Sequence, residues 1–325
     1  HYELLVAYTS GNSYNSSGVS DDCYHYLGRW RECASISTGQ NLYHITTEHY
    51  NMLTLIPARN NQLTYVIVNK NDKEALRVTA NVAMGVAPSL PTALRSPFAT
   101  NYTYHSTKEN SSDNIVSTTT AGATIYVYYD LDNTNKVLSL NAEGYYYMKV
   151  NGSYAYTNGV AAGSAVETTA AKGTDEAVPR YVWMLDANGD PYDVALRLPA
   201  LADRALGREG YTRPDAARRR VPAENTYALQ TVDANGTTAM RFALLNGNNL
   251  DGHYALALTR GSAPTGTDVP ESELYGNMLD YVGSQTANTV ELLQQSIDNV
   301  PKDVQVEFEP YTVRYTSHIV DPQAD

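Results

Sequence analysis

His44-Ile45-Thr46-Thr47-Glu48-His49 brings two imidazoles and a carboxylate into one short run, the ligand types of a zinc peptidase. The spacing is one residue too long for that motif, which also needs a helix to set its ligands on one face. The segment alternates like a strand, so it reads as two strand or turn histidines. His1, His25, His105, His253 and His318 are scattered and show no metal-ligand spacing. A better cation candidate is Asp186-Ala187-Asn188-Gly189-Asp190, where Asp186, Asn188 and Asp190 offer Ca²⁺ oxygens at alternate positions. The bidentate glutamate of an EF-hand loop is missing, because position 197 is Arg197. An Asx-stabilised Asn-Gly hairpin accounts for the same residues without a metal. No other cofactor is expected.

Cys23 and Cys33 bracket a short loop containing His25, Tyr26 and Trp30. In an oxidising compartment a disulfide there would contribute about 2–3 kcal/mol, and two free thiols is the alternative. Arg204, Arg208, Arg213, Arg218, Arg219 and Arg220 concentrate in one stretch interrupted by glycine and proline. Such a stretch is either a basic patch for acidic glycans or nucleic acid, or a solvated insertion between strands, the commoner case. No Gly-x-Ser-x-Gly elbow is present and no Gly-rich phosphate loop follows a strand. No catalytic residue is assigned, and the chain is read as a binding or structural protein and not an enzyme.

The elements that must carry these residues follow from composition. A length of 325 residues suits two domains at ~100–200 residues each. Asp and Glu number 35 against 23 Lys and Arg, a formal net charge of −12, which disfavours nucleic acid as a partner. No apolar run approaches the ~18 residues of a membrane span. The chain opens on His1-Tyr2-Glu3 and reads as a mature or excised piece. Tyrosine is heavily favoured, with 27 Tyr against 3 Phe and 2 Trp. A buried hydroxyl needs a partner, so tyrosine prefers sites with the ring packed and the oxygen wet. Sheets with one solvated face supply such sites.

Period-two alternation recurs at Leu63–Val68, Thr124–Tyr129, Met240–Leu245 and Val304–Phe308. Five Asn-Gly pairs, beginning at Asn151, Asn158, Asn188, Asn235 and Asn246, mark hairpin turns. Helical spacing is persuasive only across Val290–Ile297. The chain is therefore expected to be all-β.

His1-Tyr2-Glu3-Leu4 matches His253-Tyr254-Ala255-Leu256, and Ile67-Val68-Asn69 matches Ile319-Val320-Asp321, both at an offset of 252. This spacing suggests a tandem array. Within the unit, Asp186-Ala187-Asn188-Gly189 and Asp233-Ala234-Asn235-Gly236 recur after apolar strands, 47 residues apart. With Leu138–Gly144 they suggest a β-trefoil. The expected organisation is 1–40 as tail of a preceding repeat and linker, 41–131 as an antiparallel β-sandwich, 132–262 as a β-trefoil-like domain, and 263–325 as linker and start of the next repeat. A trefoil of this kind could be a carbohydrate-binding module, with Trp183 as the stacking contact and Asp190 and Tyr192 as polar contacts. The Gln-x-Trp signature of lectin-type trefoils is missing.

Tyr65–Asn71, Leu90–Pro97 and Ile125–Asp130, followed by Tyr145–Tyr156 and Tyr181–Tyr192, resemble modules of very large repeat-built secreted or surface proteins of Bacteroidetes-type bacteria. The resemblance implies an extracellular or cell-surface location and a structural or adhesive role. Its partners would be neighbouring repeats of the same chain and a host or matrix glycan or protein. It brings no catalytic residues.

Overall fold

Alternating β-branched and aromatic residues fold as strands throughout the computed structural model. It describes residues 2–7, 24–26, 53–57, 60–84, 86–108, 122–132, 144–174, 177–186, 190–201, 204–208, 227–235, 238–246, 253–259, 276–285, 288–300 and 302–311. The chain divides into two compact units, residues 1–61 with 82–86, and residues 62–81 with 87–325. In the first unit, β1 (Tyr2–Ala7) lies between β2 (Tyr24–Tyr26) and β3 (Leu53–Pro57), antiparallel to both.

The next strands are β4 (Asn60–Val68), β5 (Glu74–Ala83), β6 (Ala99–His105) and β7 (Thr124–Leu131), in the order β5-β4-β7-β6. Leu63, Tyr65 and Ile67 of β4 are buried, and so are Val66 and Val68, so the strand is covered on both faces. The turn from β4 to β5 is tied by Asn69, whose Oδ1 accepts the amides of Asn71 and Lys73. β4 and β7 run parallel, which a purely antiparallel expectation did not include. A parallel pair requires a long crossing between sheet edges. The proline-containing run Pro88–Pro97 makes it, and lowers Leu90, Leu94 and Phe98 into the core.

The rest is a β-trefoil. Its strands are β8 (Tyr145–Val150), β9 (Ser153–Thr157), β10 (Val166–Thr169), β11 (Val182–Asp186), β12 (Ala195–Leu198) and β13 (Arg204–Gly207). They continue with β14 (Tyr227–Ala228), β15 (Gln230–Asp233), β16 (Phe242–Asn246) and β17 (Tyr254–Leu258). The last are β18 (Met278–Gly283), β19 (Glu291–Ser296) and β20 (Val306–Pro310). A barrel closes through the pairs β8–β11, β11–β12, β16–β17, β17–β20 and β20–β8. The bridge Val194↔Phe242 joins its two arcs. Hairpins β9–β10, β13–β15 and β18–β19 cap one end. Their threefold relation is explicit in a ring of backbone hydrogen bonds. Val166 N–H donates to Leu229 O at 3.1 Å, Leu229 N–H to Val290 O at 2.8 Å, and Val290 N–H to Val166 O at 3.0 Å.

Several expectations shift. The trefoil runs from Tyr145 to Pro310, so the segment expected as linker after 262 supplies its third lobe. The two Asp-Ala-Asn-Gly turns are not threefold equivalents: Asp186 ends a barrel strand, whereas Asp233 ends a cap strand. Val290–Ile297, helical in spacing, is strand β19, because β18 pairs with it along its whole length. A short apolar run fits either period, and here the sheet partner decides.

Candidate functional site

Trp183, Asp190 and Tyr192, the residues expected to contact a glycan, are all buried inside the fold. Trp183 sits in the trefoil core, 0 % exposed, and its indole N–H donates to Ala155 O at 3.0 Å. Asp190 is 1 % exposed. Its Oδ1 accepts the Tyr129 hydroxyl at 2.6 Å and the Tyr192 amide at 2.9 Å, and its Oδ2 accepts the Lys70 amide at 2.8 Å. The Tyr192 hydroxyl meets that of Tyr102 at 2.8 Å, donates to Leu94 O and accepts Ser96 N–H. Burial, and then the Asp190 charge, raise the Tyr129 hydroxyl far above the ordinary tyrosine value. Asp190 and Tyr192, with Tyr102 and Tyr129, form a buried polar joint between the β4–β7 sheet and the trefoil, while Trp183 belongs to the trefoil core.

Two of the expected Ca²⁺ ligands, Asp186 and Asp190, are engaged by groups of the fold. Asp186 pairs with Arg197 at 2.7 Å, Asp190 accepts three hydrogen bonds in the joint, and Asp193 pairs with Arg241. Asn188 lies outside the described residues, as do Cys23, Cys33, His44 and His49. Of the arginine stretch, Arg204 pairs with Asp233, which makes it part of the β13–β15 hairpin. Arg213, Arg218, Arg219 and Arg220 lie outside the described residues.

A different site is assembled on the first trefoil lobe. Along β8, Tyr146, Met148 and Val150 face the trefoil core, which sets Tyr145, Tyr147 and Lys149 on the opposite face, where Tyr147 is itself buried under its neighbours. Along β9, Ala155 and Thr157 are buried, so Tyr154 and Tyr156 join the outer face. Tyr181 and Tyr311 arrive from the flanking segments and pack on the same cluster. The rings meet edge to face: Tyr147 lies 5.4 Å from Tyr311 and 6.1 Å from Tyr154, at 88° and 82°. Tyr156 and Tyr181 stack at 4.9 Å.

Charged groups are fixed across these rings. Lys172 Nζ stands 4.6 Å above Tyr147 and donates to Glu309 Oε1 at 2.7 Å. Glu309 Oε2 accepts the Tyr154 hydroxyl at 2.8 Å. Lys149 lies 5.0 Å over Tyr154 and near both Glu307 and Glu309. Glu167 accepts Tyr156 Oη and Asn158 Nδ2, both at 2.9 Å. The hydrogen bond from Lys172, then that from Tyr154, hold the Glu309 carboxyl below its ordinary range. The bond to Glu309 raises the Lys172 ammonium. Burial, then the bond to Glu167, raise Tyr156. At neutral pH the face therefore presents the Lys172 ammonium against the Glu309 carboxylate, with the Tyr147 and Tyr156 phenols neutral. Aromatic walls with a few placed polar groups are the ordinary make-up of a small-molecule site. The Tyr145-x-Tyr147 and Tyr154-x-Tyr156 alternations were the sequence signal for this face; residue type favoured Trp183 instead.

No protein-family model and no curated protein matches the chain. Among solved structures it resembles the structure titled "SeviL bound to asialo-GM1 saccharide", with 12 % identity over 51 % of this chain and 97 % of that one, at a TM-score of 0.32. A mosquitocidal holotoxin shares 13 % identity over 57 % of this chain and 19 % of its own length, at a TM-score of 0.36. An arabinofuranosidase complexed with arabinofuranosyl-α-1,2-xylobiose shares 12 % identity over 52 % of this chain and 31 % of its own, at 0.32.

Proposed function

We propose that the chain is a non-catalytic adhesive module of a repeat-built extracellular or cell-surface protein, and that the outer face of the first trefoil lobe binds carbohydrate. The observation that carries this reading is the half-buried set Tyr154, Tyr156 and Tyr311, backed by the buried rings of Tyr147 and Tyr181, beside the Lys172–Glu309 pair. A tyrosine ring can cover the apolar face of a sugar, while a fixed carboxylate and an ammonium accept from and donate to its hydroxyls. The glycan reading is thus moved from Trp183, Asp190 and Tyr192 to an outward surface.

The repeat reading draws support from the first unit. There β1 takes β2 on one edge and β3 on the other, as β17 takes β18 and β20, and Tyr2 and Tyr254 open these strands. A glycan array probed with the whole chain tests the adhesive reading. Expected is binding to a coherent set of glycans that Tyr154→Ala and Glu309→Gln each abolish while the melting temperature stays within a few degrees of the parent. No glycan bound, or binding indifferent to both substitutions, overturns it and leaves only a spacing role.

A further inference from the structure

On the outer face of the first trefoil lobe, two aromatic rings and a carboxylate converge on one point. Tyr311 and Tyr154 stand nearly perpendicular to Tyr147, at 88° and 82°. The point of convergence lies 4.6 Å above the Tyr147 ring, 6.0 Å from the centre of Tyr154 and 2.7 Å from Glu309 Oε1. The other Glu309 oxygen is tied to the Tyr154 hydroxyl, which fixes the carboxylate in place. The π faces of aromatic rings attract cations electrostatically, and this is how proteins hold organic ammonium groups. The position is therefore a cation site by its chemistry, and an ammonium already fills it: Lys172 Nζ.

That ammonium is held lightly. Lys172 follows β10 in a segment outside regular structure, and its side chain is 44 % exposed. An ion pair with so exposed an arm stabilises little, and a lysine that lets go regains its rotamer freedom. Lys149 differs, because it belongs to strand β8 and has both Glu307 and Glu309 beside it, so its charge stays on the face. The charges also sort the ligands that could take the place of Lys172. A carboxylated sugar would bring like charge to Glu309, and a neutral sugar would leave Glu309 without the cation it gave up. A sugar with a free amine supplies an apolar ring face for tyrosine and an ammonium for the carboxylate.

Resting on the reading of this face as a glycan site, we propose that its ligand class is a glycan bearing a free amino group. The sugar ammonium takes the position of Lys172 Nζ above Tyr147 and against Glu309, and Lys172 turns out to solvent as it enters.

The experiment is isothermal titration of the whole chain with a glucosamine trimer and with its N-acetylated counterpart, in mildly acidic buffer where the amines are charged. The amino trimer is expected to bind saturably, and the acetylated trimer, with the same rings and no charge, about tenfold more weakly or less. Lys172→Ala empties the position and should tighten binding of the amino trimer several-fold, whereas Glu309→Gln should abolish it. Weaker binding in Lys172→Ala would make the lysine a ligand contact and overturns the proposal. Equal affinity for the two trimers, or no binding of the amino trimer, overturns it as well. If the glycan array still shows glycans whose binding needs Tyr154 and Glu309, only the amino-sugar class falls; an empty array brings down the glycan reading of the face itself.

Discussion

Asp190 gathers three donors, the Tyr129 hydroxyl and the Tyr192 and Lys70 amides, on a carboxylate that is 1 % exposed. Removing a buried acceptor leaves its donors unmet, at about 1–3 kcal/mol each. Asp190→Ala should therefore lower stability by about 3 kcal/mol or more in urea denaturation, and a loss below about 1 kcal/mol would contradict the joint. Nothing in the sequence distinguished this role from a ligand contact, because Asp and Tyr serve both and only burial separates them. Glu309 and Lys172 give a prediction with the sign fixed by their shifts. The carboxyl is lowered, so its contribution is present above the ordinary value of ~4.3 and is lost as pH falls through the depressed one. The ammonium is raised, so its contribution is present below ~10.4 and is lost as pH rises through the elevated value. In a ¹³C titration Glu309 should lose its proton below the ordinary value, and Lys172→Met should move that midpoint upward. A midpoint indifferent to Lys172 would refute the coupling.

Elements follow local signals where turn chemistry is strict. Asn151 and Gly152 hold φ at +50° and +77°, the left-handed pair that a two-residue hairpin requires between β8 and β9. A Cβ at Gly152 would meet nothing within 4 Å, so Gly152→Ala tests backbone strain alone and should cost about 1–2 kcal/mol. At Gly207 a Cβ would stand 2.3 Å from Thr238 O, so Gly207→Ala adds a clash with backbone and should cost more by thermal melting. Equal losses at the two positions would contradict this ordering. Strand identity was equally legible at Leu63–Val68, Thr124–Tyr129 and Met240–Leu245, which lie in or overlap β4, β7 and β16. It failed at Val290–Ile297, where Leu292 and Leu293 at neighbouring positions suit a helix until β18 claims the backbone.

Within the second compact unit, the sheet β4–β7 and the trefoil share the Tyr102–Tyr192–Asp190–Tyr129 joint. They should unfold as one cooperative transition in calorimetry, and Tyr192→Ala, which removes a fully buried ring and its hydroxyl partners, should resolve it into two. A single sharp transition persisting in that variant would argue that the joint does not couple them. The sequence by itself determined that the chain is all-β, that tyrosines line sheet faces, and that Asn151-Gly152 turns a hairpin. Those features depend on side-chain alternation and on backbone angles spanning a few residues. Only the tertiary structure decided that β20 returns to close the barrel on β8, that Trp183 faces inward while Tyr154 faces outward, and that Asp190 meets Lys70 and Tyr129. Each of these is a contact between residues far apart in the chain, and its energy exists only once the strands between them have folded.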